Sequence, residues 1–163
     1  MQALARWIDA LNEHVGVWTA YLILPMVGVT FYEVFMRYAL RAPTVWAFEM
    51  TTFIYGVHFV MAFGYAHKHD GHVAIDVFEA RMPPRPRAVL RVILNLTVFL
   101  PTVGLLTLWS IFYAHTSWQQ GELSWTSWAP RIYPYKMLMA AGFALLWLQG
   151  LAKLLQDLRT LRQ

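Results

Sequence analysis

Glu33, Arg37 and Arg41 follow one another at four-residue spacing, and Glu49 comes shortly after them. On one helix such a series forms a stripe, and Glu placed before Arg at that spacing can pair with it. Two readings are open. The patch either docks a partner or locks two helices, or its long side chains simply snorkel to a membrane–water interface. A carboxylate inside an apolar segment is costly unless partnered, so Glu49 is expected to be paired, with Arg37 or Arg41 in reach.

His58 lies in the middle of a second apolar run. A haem held by two histidines needs a second His at matching depth on another helix. His14 and His115 sit at the edges of their runs instead, so an interhelical hydrogen bond is the favoured role of His58. His67, His69, Asp70 and His72 are crowded near the end of the same run, and His and Asp can ligate metal. No further ligand pattern accompanies them, and a polar helix end before a turn at Asp70-Gly71 accounts for them better. The chain has no cysteine, which excludes disulfides and thiolate chemistry. Ser117, Ser124 and Ser127 lack a nucleophile-elbow context, and no phosphate loop or catalytic carboxylate pair is present. The expectation is no enzyme activity, no cofactor and no metal. Arg81, Arg85, Arg87 and Arg91 form a basic cluster that suits lipid headgroups at an inner membrane face. Nucleic acid is not an expected partner, since no soluble module accompanies the charge.

The elements that must position these residues are membrane helices. Hydrophobic residues make up 58% of the chain and charged ones 13%, where soluble domains carry about 25% charged residues. A span needs roughly 20 mostly apolar residues. Four runs qualify, near residues 15–36, 45–66, 92–113 and 133–155. The predicted class is an all-α integral membrane protein, a single transmembrane domain over residues 1–163 with short amphipathic interfacial segments. Pro25 should kink the first span, and Pro101 lies inside the third. Leu4, Trp7, Ile8 and Leu11 repeat at helical spacing and predict an amphipathic lead-in, either on the membrane surface or extending the first helix. The run Pro83-Pro84-Arg85-Pro86 reads as a helix breaker. The first run is not a cleavable signal, because its leader carries Asp9 and Glu13 and no small-residue cleavage site follows. Lys and Arg number nine on the side of the termini and four opposite (Arg37, Arg41, Arg131 and Lys136), which predicts both termini in the cytoplasm. Asn95, Thr97, Thr102, Thr107, Ser110 and Gln149, with Gly104 and Gly142, suit close helix packing.

The order of local features carries a resemblance. Arg37 closes the first span, and Pro43-Thr44-Val45-Trp46-Ala47-Phe48-Glu49 opens the second. The second span ends in Gly64-Tyr65-Ala66-His67-Lys68-His69, then Asp70-Gly71-His72-Val73 and Asp76. Pro134-Tyr135-Lys136 and Leu148-Gln149-Gly150 bracket the fourth. This arrangement resembles the small, DctQ-like membrane subunit of tripartite ATP-independent periplasmic (TRAP) transporters. Where members often have Pro-Leu-Gly in the fourth span, this chain has Ala140-Ala141-Gly142, which leaves the substrate open. The resemblance implies a scaffold in a bacterial inner membrane, with two protein partners. They are a large transport subunit and a periplasmic binding protein, and uptake is driven by an ion gradient, typically sodium, with organic acids as the usual substrates. For such a binding protein the candidate docking residues are the four basic residues placed on the outer side, Arg37, Arg41, Arg131 and Lys136, and the candidate subunit contacts are Glu33, Glu49, His72 and Asp76. Two rivals stand beside it, a membrane anchor of a haem-type redox enzyme and a small homodimeric multidrug-type transporter. The second needs a carboxylate deep in the first span, whereas Glu13 and Glu33 lie near its ends.

Overall fold

The computed structural model describes residues 2–71 and 82–161. Its helices are α1 (Gln2–Ala20), α2 (Ile23–Tyr38), α3 (Ala47–Lys68), α4 (Pro84–Leu94), α5 (Leu100–Gln120) and α6 (Tyr133–Thr160), with a π turn at Asn95–Phe99. Among the described residues the extended structure is one isolated bridge, Leu123 with Arg131. The chain therefore makes four helical passes. The termini end of the bundle also holds the connection after α3, and the loop end holds the other two connections. Three stretches, Ala3–Tyr38, Arg85–Gln120 and Tyr133–Thr160, are long and apolar enough to cross a membrane. The second pass, α3, falls short of them, and it carries Glu49, His58, His67 and Lys68.

The first pass bends where its proline dictates. Pro25 has no N–H, and its ring crowds the carbonyl four residues back. The chain answers with a tightened turn. Tyr21 donates to Trp18 O at 3.2 Å, Leu22 to Thr19 O at 3.0 Å and Leu24 to Tyr21 O at 3.1 Å. His58 Nδ1 lies 2.7 Å from Thr19 O, so the interhelical bond expected of this histidine is made to the carbonyl beside the break. In the third pass Pro101 likewise denies Thr97 O a partner, and the π turn precedes it, with Leu100 N–H reaching back to Asn95 O. Leu100 O accepts from Trp147 Nε1 at 3.1 Å.

One expectation is corrected. The proline run after Met82 starts a helix: α4 begins at Pro84. First-turn N–H groups have no intrahelical acceptor, so proline there costs little. The helices that hold the predicted spans 92–113 and 133–155 are longer than those spans: α4 and α5 together run Arg85–Gln120, and α6 runs to Thr160. The lead-in is the first half of α1, and it extends the first helix. Ala5 and Ile8 are buried against Ala152 and Leu148 of α6.

α6 is the spine, in contact with α1, α3, α4 and α5, while α2 rests on α3 and has no buried residue. The packing depends on close backbone approach. A Cβ at Gly142 would lie 2.7 Å from Val60 O, and one at Gly64 would fall on Asn12 Oδ1. Asn12, 1% exposed, donates to Gln149 Oε1 at 2.8 Å and to Ile8 O at 3.2 Å. Gln149 donates to Asp9 Oδ1 at 2.7 Å, and Gln156 to Asp9 Oδ2 at 2.9 Å. Such side-chain bonds hold helices together where lipid offers no polar alternative.

Candidate functional site

At the loop end, Glu33 organises the first connection. Its Oε1 accepts from Arg37 Nε at 3.0 Å and Nη2 at 2.5 Å. Its Oε2 accepts from Thr44 N–H at 3.1 Å and Thr44 Oγ1 at 2.5 Å. Thr44 Oγ1 in turn accepts from Ala47 N–H at 3.4 Å, which satisfies a donor at the start of α3. Between them the chain leaves α2 through a left-handed residue, Arg41 with φ 52°, while Ala42 N–H bonds Met36 O at 3.0 Å. This closure normally places Gly or Asn at the left-handed position. Here an exposed arginine occupies it.

The second connection is a short hairpin. Gly121 takes φ 59° to end α5. Ser124 N–H bonds Pro130 O at 2.8 Å, and Ile132 N–H bonds Glu122 O at 3.1 Å. Glu49, 8% exposed, accepts from the Thr126 hydroxyl and so ties α3 to this hairpin. Trp46 and Trp128 add a ring contact at 6.5 Å, and Tyr32 stacks on Trp46 at 5.8 Å. The two connections thus form one surface. Trp125, 95% exposed, projects from it.

The four basic residues assigned to this side do not act alike. Arg37 is half exposed and held by Glu33. Arg41 is exposed, and Arg131 is exposed with a bond to Tyr133 Oη at 3.5 Å. Lys136 is different: it is 6% exposed, paired with Glu122, and 3.7 Å above the Tyr113 ring. This buried ammonium, already held by a carboxylate, packs the loop end and differs in that from the three exposed arginines. Glu122 is held below the usual carboxylate range, chiefly by its bond from Lys136, with Ser117 adding to it. Glu49 is partnered as expected, and the partner is the Thr126 hydroxyl.

At the termini end, Glu13 Oε2 accepts from Lys68 at 2.7 Å and lies 2.8 Å from His69 Nε2. Asp70 pairs with Lys153, and this bond holds its carboxyl below its ordinary range. His67 stacks on Phe99 at 4.4 Å. These partners pull the crowded His67, His69 and Asp70 in different directions. Arg85, Arg87 and Arg91 lie on α4, Arg87 bonding Met82 O at 3.3 Å. His72, Asp76 and Arg81 lie outside the described residues.

The sequence model of the family described as "Tripartite ATP-independent periplasmic transporters, DctQ component" matches residues 26–160, nearly all of the helical bundle. The chain belongs to this family. A comparison with curated proteins finds no match. DctQ components are membrane parts of TRAP transporters, so the chain is a multi-pass transporter subunit. Membership in a tripartite system implies a large membrane subunit and a substrate-binding protein as partners. The match begins at Met26 and leaves out α1. With α1 the match omits the Asp9 and Asn12 side of a clamp that closes on Gln149. Asn12 is the member that sequence reasoning missed, and its signal was an amide on the helix that also carries Leu4, Ile8 and Leu11.

Proposed function

We propose that this chain is a small permease subunit that braces the large transport subunit and helps dock the periplasmic binding protein. It works in a bacterial inner membrane with both termini in the cytoplasm, and the assembly takes up an organic acid or related solute on an ion gradient, typically of sodium. The family supports the scaffold role, and the weakly attached, outwardly apolar α2 gives it a surface for another membrane protein. Leu24 and Phe31 on that helix are 67% and 71% exposed.

The observation that carries the docking role is Arg41. A non-glycine left-handed residue costs about 1–2 kcal/mol. Glycine would avoid that cost, yet the chain keeps an exposed cation there, on a surface that also presents Arg131 and Trp125. Arg37, Arg41 and Arg131 are the docking residues. Complementary charge governs encounter rate and register more than affinity, and each exposed pair is worth only about 0.2–1 kcal/mol.

The test is Arg41→Glu combined with Arg131→Glu, in a complex first shown to assemble at normal levels. Uptake is measured against binding-protein concentration at low and high salt. The expected result is a higher half-saturating concentration and a weaker salt dependence. An unchanged curve would reduce these arginines to helix-end anchors.

A further inference from the structure

Between α1 and the end of α3 lies an open cleft of about 600 Å³, lined by Arg6, Asp9, Ala10, Glu13, His14, Val17 and Lys68. Its charge is mixed and balanced. Arg6 and Lys68 offset Asp9 and Glu13. We infer that this cleft binds the headgroup of a zwitterionic phospholipid with a primary ammonium, a phosphatidylethanolamine.

Three observations support the assignment. The first is the direction of the lining. From Arg6 and Asp9 it passes Glu13 and His14 and ends on Val17, where the apolar run of the first pass begins. That is the order in which a lipid at this end of the bundle presents its headgroup and then its acyl chains. The second is spare bonding capacity. Arg6 has no hydrogen-bond or ion-pair partner among the described residues, so its guanidinium is available for a phosphate, which it can grip through two parallel bonds. Both bonds to Glu13 land on Oε2, so Oε1 keeps its acceptor capacity for an ammonium.

The third is the fixed frame. Lys68 is anchored to Glu13 and to Asp9 O at 3.2 Å, and Asp9 is held by Gln149 and Gln156. The acidic wall is therefore preorganised. It opposes an anionic headgroup, which would meet two carboxylates with no positive charge of its own. A choline headgroup carries the right charges but has no N–H to give to Glu13.

Native mass spectrometry of the full chain tests this, in detergent micelles doped in turn with dioleoyl phosphatidylethanolamine, phosphatidylcholine or phosphatidylglycerol. One retained phosphatidylethanolamine is expected, with the other two lipids retained far less. A bond to a charged group is worth enough that losing it should cut retention about tenfold in Arg6→Gln and again in Glu13→Gln. Arg6→Gln removes no bond made among the described residues, so it tests the site with little disturbance of the described bundle. Unchanged retention in Arg6→Gln, or equal retention of phosphatidylglycerol, overturns the inference. Free phosphoethanolamine is expected to leave the adduct in place, since it has no chains to lie along Val17. Displacement by it would assign the cleft to a soluble ligand and overturn the lipid reading.

Discussion

Replacing Gly142 with alanine puts a methyl carbon 2.5 Å from Val60 Cγ1, 2.7 Å from its carbonyl oxygen and 2.8 Å from its carbonyl carbon. Non-bonded carbons prefer about 3.5–4.0 Å. The shortfall is roughly 1 Å, and it faces backbone on α3 that cannot rotate away, so α3 and α6 must separate. Overpacking of this kind costs about 1–3 kcal/mol, and a backbone clash belongs at the upper end. Alanine returns about 1 kcal/mol through its better helix propensity. The net expectation is a loss of about 2 kcal/mol. Gly28 on α2 supplies the control, because a Cβ there meets nothing within 4 Å. Gly28→Ala keeps the propensity gain of up to about 1 kcal/mol and adds no clash. The same substitution thus carries opposite signs at two positions, with a spread of about 3 kcal/mol. Reversible unfolding of the isolated chain in mixed micelles titrated with sodium dodecyl sulfate, followed by the fluorescence of its eight tryptophans, measures both. A Gly142→Ala chain as stable as the wild type, or a Gly28→Ala chain as damaged as Gly142→Ala, would refute the packing argument.

Acid should loosen the loop end. The carboxyl of Glu122 is depressed below its ordinary 4.5 by the Lys136 bond. Its contribution is fully present above that value and is lost as pH falls through the lower folded-state pKa. Glu122→Gln should therefore be less stable near neutrality and lose less between neutrality and pH values below 4.5, as read by unfolding midpoints across a pH series. A wild-type acid slope retained in full by Glu122→Gln would assign it to other groups. Topology is tested with reporter fusions after Gln163 and after Gly121. Cytoplasmic activity is expected for the first and periplasmic activity for the second, and the opposite pattern would invert the orientation proposed from the arginine and lysine bias.

The fold class was legible from composition and hydropathy because the bilayer leaves a chain few choices. Every backbone group must bond internally, so long apolar runs become helices, and their number and rough limits follow. Pro25 predicted where the first pass deviates, since a missing N–H and a crowded carbonyl are local effects. The family was legible as well, from short ordered motifs around the second span. Tertiary structure decided what each polar residue does. Lys136 and Arg41 look alike as basic residues near helix ends, yet one is buried over Tyr113 against Glu122 and the other is exposed at a strained turn. Glu49 needed a partner by any reading, but whether that was arginine or Thr126 depended on how the second connection folds back over α3. The lead-in could have lain on the membrane. Asn12 meeting Gln149, residues far apart in the chain, made it part of the bundle. Burial and pairing between distant residues depend on which helix faces meet, and one helix's periodicity records only its own face.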